Sequence, residues 1–228
     1  MKLKLIILLL FIIQANSYSQ TKKMSYNQNQ IDDKYVATNE ILKNLDGRKT
    51  AKTDLAIYAE TANDSVFFVY VQNNATDSIR ISKQDSHLYL IQEAKDKSNQ
   101  WKPVEYWRYS WCGNSYLSEK LASKGIIKTE SEAYKGNFKT EIRFKLLNNS
   151  KVYYSNTLEG NIYHEQFILS DSIKNRLEFN KKFIGAETAA KVAFLEPDGL
   201  SEYAKKNKKW VKWITKKARQ RNKKAGLE

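Results

Sequence analysis

The sequence predicts a mainly β protein, an antiparallel immunoglobulin-like β-sandwich carrying a basic C-terminal α-helix. Three observations lead there. Seven to eight short runs between residues 50 and 170 alternate apolar and polar side chains or are apolar on both faces. Clusters of Asn, Asp, Ser and Lys separate these runs at the spacing of strands and turns, which is how a sandwich is written in sequence. After Pro197-Asp198-Gly199 the apolar residues instead recur three and four apart, with no Pro or Gly until Gly226. The chain has 228 residues, 41% hydrophobic and 12% aromatic, enough apolar area to bury a core and too much for a disordered polymer. One cysteine and two prolines exclude an intramolecular disulfide scaffold and a Pro-rich fibre.

Lys2 and Lys4 precede an unbroken apolar run at residues 5–13, and a polar, small-residue stretch ends at Gln20. A helix rising 1.5 Å per residue over that run covers too little of a hydrocarbon layer about 30 Å thick. Residues 1–20 therefore read as a secretory signal, cleaved after Ser19 or Gln20, and not as an anchor. The absence of a cysteine near this point argues against a lipoprotein, and no later apolar run approaches a membrane span. The expectation is an exported protein, periplasmic or associated with the cell envelope.

Residues 21–49 form a polar N-terminal segment, mobile over 21–30, with a short helix over 32–46 whose stripe is Val36, Ile41, Leu42 and Leu45. The sandwich occupies 50–170. Its first run, 54–60, places Leu55, Ile57 and Ala59 on one face, and the next, 65–72, is apolar on both, as a central strand is. Runs at 78–82, 87–94 and 104–111 follow. Residues 138–146 put Phe138, Thr140, Ile142, Phe144 and Leu146 on one face and Lys139, Glu141, Arg143 and Lys145 on the other. Residues 152–158 and 161–168 complete the set. Residues 171–198 read as a connecting segment, helical around Ile173, Leu177 and Phe179, and helical or extended over 186–195.

The formal charge is +14, and residues 199–228 hold most of it: eleven Lys or Arg stand against Glu202 and Glu228, a net of +9. The signal contributes +2, which leaves the body nearly balanced at +3. A helix over 201–223 carries Leu200, Tyr203, Trp210, Val211, Ile214 and Ala218 along one stripe, bordered by Trp213. Such a basic amphipathic helix suits an anionic membrane or envelope surface, with Trp at the interface and Lys snorkelling outward. It equally suits an acidic groove on a protein partner. It also fits a helix whose Trp face packs on the body while its lysines stay solvated. Nucleic acid would be held only through nonspecific counterion release, and export sets it aside as a natural target. The candidate docking residues are Lys205, Lys208, Lys209, Trp210, Lys212, Trp213 and Lys216.

The aromatic segment from Trp101 to Tyr116 is the most distinctive stretch of the body. As a strand it places Glu105, Trp107, Tyr109 and Trp111 on one face, a candidate platform for stacking sugar rings with Glu105 or Arg108 supplying polar contacts. The same face read as sandwich core, or as a protein-binding patch, explains the rings as well. Pro103 belongs at a strand start or a sheet edge.

Trp101-Lys102-Pro103-Val104-Glu105, Ser110-Trp111-Cys112-Gly113-Asn114-Ser115-Tyr116, the stretch from Tyr134 to Arg143 and Tyr154-Ser155-Asn156-Thr157 resemble segments of exported β-sandwich proteins of Bacteroidota. The resemblance covers residues 85–167 and stops before the basic tail. It implies export and a sandwich and brings no catalytic residues. Asp64-Ser65-Val66, Asp77-Ser78-Ile79 and Asp171-Ser172-Ile173 are similar to the O-glycosylation sequons of that phylum, and equally to ordinary turn-to-strand junctions.

No phosphate loop, nucleophile elbow or EF-hand loop occurs, and His164-Glu165 lacks the second histidine of a zincin. Two histidines and a lone thiol offer no metal-ligand spacing, so neither cofactor nor metal is expected. Cys112 reads as a buried small hydrophobe, with a nucleophile or an intermolecular disulfide as the alternatives. Together these readings favour a non-enzymatic envelope protein that docks through its cationic helix to an anionic surface or protein partner. A carbohydrate-binding accessory protein is the alternative, and a hydrolase ranks behind both.

Overall fold

The computed structural model describes residues 22–46, 53–110 and 113–224; the signal at 1–20, Trp111 and Cys112 lie outside them. Strands β1 (Ser25–Tyr26) and β2 (Gln30–Ile31) lead into helix α1 (Asn39–Asp46). Strands β3 (Leu55–Asn63), β4 (Val66–Asn73), β5 (Ile79–Gln84), β6 (His87–Leu88) and β7 (Leu90–Lys95) follow, then β8 (Trp101–Pro103) and β9 (Glu105–Tyr106). Next come β10 (Tyr116–Leu121), β11 (Ile126–Glu132), β12 (Phe138–Asn148), β13 (Lys151–Tyr154) and β14 (Leu158–Ile162). Helices α2 (Asp171–Ile184), α3 (Ala186–Ala193) and α4 (Gly199–Lys224) close the described chain. The protein is mainly β with a C-terminal helix, the class its sequence predicts.

One antiparallel sheet has the order β2-β11-β4-β3, and a second runs β13-β12-β7-β8 with β14 also paired to β12. Inward side chains of the two share a core: Leu55, Ile57, Phe67, Val69 and Val71 from the first meet Leu90, Ile142, Phe144 and Leu146 from the second. Phe67 and Phe144 touch edge to face at 5.8 Å. Strand β4 is central and apolar on both sides, as its sequence requires: its outer Phe68 and Tyr70 pack with Ile41 and Leu45 of α1. That helix is shorter than the 32–46 expected, and Val36 is 83% exposed, so the stripe begins at Ile41.

Two interior features escape hydrophobic periodicity. Strand β11 lies between β2 and β4, yet its inward positions after Ile127 are Thr129 and Ser131, which carry no apolar signal. The N-terminal segment is not mobile over 22–31: Met24, Asn27, Asn29 and Ile31 are buried, and β1 pairs with β9 in parallel, Ser25 opposite Glu105.

What holds that segment is hydrogen bonding. The amide of Asn29 takes the place of a strand for Leu88, its Oδ1 accepting Leu88 N–H at 2.8 Å and its Nδ2 donating to Leu88 O at 3.0 Å. Its neighbour Asn27 donates through Nδ2 to the Glu105 carboxylate. Glu105 is fully enclosed, and two donors reach each of its oxygens. Gln92 N–H (2.8 Å) joins Asn27 at Oε2, while Gln92 Nε2 (3.0 Å) and the Tyr134 hydroxyl (2.6 Å) reach Oε1. Burial pushes this carboxyl above its ordinary range and the donors pull against that, with burial the larger influence. Three separated stretches of chain thus converge on one acid.

Removing that acid strips the buried Gln92 N–H of its acceptor and takes from Asn27, Gln92 Nε2 and Tyr134 one partner each, leaving them their contacts to Ser131, Glu132 and Ser25. Glu105→Ala is expected to lower unfolding stability by about 3 kcal/mol, and Glu105→Gln by about 2 kcal/mol because its amide sets a donor against donors. Urea denaturation measures both; a Gln variant within about 0.5 kcal/mol of the parent would show that the network does not hold the fold.

Candidate docking helix and adjoining cleft

The outer face of the second sheet is covered. Tyr89, Ile91 and Leu147 form a second core with Ile184, Ala189, Val192, Leu195 and Tyr203 from the C-terminal helices. Residues 171–198 are therefore a packed helical pair and not a connecting segment, bent at Gly185, whose φ of 84° favours a residue without Cβ. The cover changes what the alternation in β12 means. Lys145, on the charged face, is buried and donates to Phe194 O at 2.9 Å and Glu196 Oε1 at 2.7 Å. Beside it, Arg143 pairs with the buried Glu93 at 2.6 Å.

The same cover corrects the aromatic platform. Strand structure ends at Tyr106, so residues 107–110 do not continue the alternation. Trp107 and Tyr109 are 3% and 2% exposed and belong to the second core, Trp107 against Tyr89 at 4.8 Å and Tyr109 against Tyr203 at 5.0 Å. Glu105 sits in the polar network described above. None of the three presents a face on which a sugar ring can stack, and Trp111 lies outside the described residues.

Helix α4 starts where Gly199 lies so close to α3 that a Cβ would stand 2.7 Å from the Lys191 carbonyl carbon. Glu202 fastens the two helices, accepting from Lys191 Nζ and Thr188 Oγ1 at 2.8 Å each. The Lys191 contact, followed by Thr188, holds the Glu202 carboxyl below its usual range. Tyr203 is buried, and Trp210 is half-buried, its ring edge to face with Phe183 at 4.9 Å. Past Trp210 the helix leaves the body: residues 211–223 are all exposed, Trp213 by 57%.

The 26-residue helix is about 39 Å long, so roughly its distal half projects. At about 100° per residue, Lys205, Lys208, Lys209, Lys212, Lys216, Arg219 and Lys223 occupy one arc of about 100°. Trp210, Val211, Ile214 and Ala218 occupy the opposite arc together with Arg221, and Trp213, Lys206 and Lys217 lie on the border between them. Of the predicted docking residues, Lys205, Lys208, Lys209, Lys212, Trp213 and Lys216 are exposed, while Trp210 is shared with the body. The reading in which the Trp face packs on the body holds for the proximal half alone.

A cleft sequence reasoning did not assemble lies beside α2, with a volume of about 700 Å³. Its walls come from β1 (Tyr26), the β5–β6 turn (Asp85), β6 (His87), the 107–110 segment (Arg108) and one face of α2 (Asn175, Arg176, Phe179). Its lining residues are scattered over some 150 positions, and among them the aromatic segment contributes Trp107, Arg108 and Tyr109, the three that its sequence marks as candidate ligand contacts. His87 lines this cleft, whereas His164 packs edge to face with Phe138 and Phe167, so the two histidines serve different clusters. Among the described residues no group of His, Cys, Asp or Glu is placed to hold a metal ion. No helix among them is long and apolar enough to cross a membrane.

No protein-family model matches the sequence, and no curated protein matches it.

The two halves of α4 are expected to differ in energetic weight. Tyr203→Ala should cost about 3 kcal/mol through the cavity it opens, and Trp213→Ala should leave stability within about 0.5 kcal/mol of the parent. Thermal denaturation of both variants tests this; an equal loss at Trp213 would mean that the distal half packs on the body.

Proposed function

We propose that this is an exported, non-enzymatic protein of the cell envelope that docks to an anionic membrane surface through the projecting half of α4. The exposure of residues 211–223, with a cationic arc opposite an apolar one, carries the reading. A helix that only stabilises its own domain has no use for an unpacked apolar arc ending in an exposed Trp. At an anionic bilayer Trp213, Ile214 and Val211 enter the headgroup boundary and the flanking lysines reach outward. Each cation near such a surface contributes about 1 kcal/mol before screening, and the tail has a net of +9. The Lys2–Lys4 signal pattern and the resemblance of residues 85–167 to exported Bacteroidota proteins support the envelope as the place where this happens. An acidic groove on an envelope protein would use the same two arcs, and the experiment separates the two.

The mature protein should sediment with vesicles containing phosphatidylglycerol and not with pure phosphatidylcholine, and half-molar salt should release it. Reversing Lys208, Lys209, Lys212 and Lys216 to Glu should reduce vesicle binding by more than tenfold with the melting temperature unchanged. Binding that survives the reversal would overturn the proposal. Failure to bind either vesicle, with retention of the native envelope partner only by the parent sequence in crosslinked pull-down, would assign the helix to a protein groove.

A further inference from the structure

We infer that the cleft beside α2 is a binding site for a carboxylate-bearing sugar, a uronic acid or a short oligomer of one. This inference is independent of the docking helix. The volume of about 700 Å³ lies within the range of small-ligand sites, and four separate chain segments build the walls, held together by the second core and the Glu105 network.

Charge identifies the first half of the ligand. Arg108 and Arg176 both line the cleft, and neither has a carboxylate partner among the described residues. Arg108 is exposed, and its guanidinium lies over the Tyr26 ring at 5.3 Å. The ring fixes the plane of the fork and leaves its donors free for an anion. Arg176 uses one donor on Tyr109 O at 2.7 Å, while its Nε is buried and finds no acceptor. Elsewhere in this protein buried or half-buried cations are matched to carboxylates, Arg143 to Glu93 and Lys145 to Glu196. Half-buried Arg176 is the exception, and with exposed Arg108 lining the same concavity a ligand carboxylate supplies what is missing.

The remaining walls identify the second half. Phe179, 49% exposed, gives the cleft apolar ring surface against which the C–H face of a pyranose packs, while the Tyr26 ring is covered by Arg108. Asp85, on the positive-φ turn between β5 and β6, offers an exposed acceptor, and Asn175 and His87 offer further polar groups for sugar hydroxyls. A bare inorganic anion would use the two cations and leave the ring and acceptors idle. The site differs from the flat platform of Trp107 and Tyr109, whose rings form its floor from within the core.

Titration of the full mature chain with trigalacturonic acid, followed by calorimetry and by indole N–H resonances, tests the inference. The methyl ester of the same trisaccharide removes the charge and keeps the rings; citrate keeps carboxylates and removes the rings. The acid is expected to bind at least tenfold more tightly than either. Arg108→Gln, an exposed change that leaves the backbone contact to Gln84 intact, should weaken the acid roughly tenfold, while Lys97→Gln, in the exposed turn before β8, should not. The indole resonance assigned by Trp107→Phe should shift with the acid. No detectable binding of the acid would overturn the inference, as would equal binding of citrate or equal losses for Arg108→Gln and Lys97→Gln, which would mark general attraction to a basic protein.

Discussion

The buried carboxylate of Glu105 is the constraint around which the rest of the molecule is arranged. An acid enclosed in protein is tolerated when its lone pairs are satisfied, and here the donors come from β1's flank, from β7 and from the chain after β11. Those stretches are far apart in sequence, so meeting the acid fixes where the N-terminal segment enters, how β9 lies against β1, and which way Tyr134 points. The same economy recurs with amides. Asn29 serves Leu88, Asn148 serves Ser82 N–H and Arg80 O, and Asn156 serves both backbone groups of Ala59. Each closes a strand where no neighbouring strand is available, so the sheets finish on side chains and expose few unpaired backbone groups.

With the N-terminus pinned, the second sheet needs a cover on its outer face, and α2, α3 and α4 provide it. That cover sets the course of everything exposed. Lys145 and Arg143 anchor the sheet side through Glu196 and Glu93, and Glu202 ties α4 to α3. Because α4 is fixed over its first three turns and longer than the surface beneath it, its second half has nowhere to go but outward. The cleft arises from the same arrangement: α2 lies across the 107–110 segment and leaves a gap lined by side chains from both.

How much of this was legible in sequence depends on which force writes each element. Apolar patterning revealed β3, β4, β7, β12 and the length of α4, because their inward positions are Leu, Ile, Val and Phe. It missed β11, whose inward Thr129 and Ser131 are held by hydrogen bonds, and it marks residues 21–30 as mobile because asparagines look like a loop. Trp107 and Tyr109 show the opposite limit. A ring-rich segment fits core and ligand platform equally well, and only the position of helices about 60 or more residues downstream decides between them. The docking residues were visible because charge density is a property of composition, whereas the cleft was invisible because its residues meet only in three dimensions.

The internal use of cations bears on what the tail is for. Lys145 and Lys191 are matched to carboxylates within the body, and Lys206 donates to Thr188 at 2.5 Å. Among the described residues the other lysines of α4 have no such role, and several stand four apart on one face, Lys205 with Lys209, Lys208 with Lys212, and Lys212 with Lys216. Each like-charge pair at that spacing opposes helix formation by a few tenths of a kcal/mol. Lysines toward the C-terminus gain something back from the helix dipole, but that benefit is confined to the last turn. The distal half is thus a helix working against its own charge, with an apolar arc that buries nothing. Against an anionic surface both defects reverse sign at once: the repulsion becomes attraction, and the apolar arc leaves water. A segment that is poorly optimised alone and well optimised against one kind of surface has its stability written for the bound state.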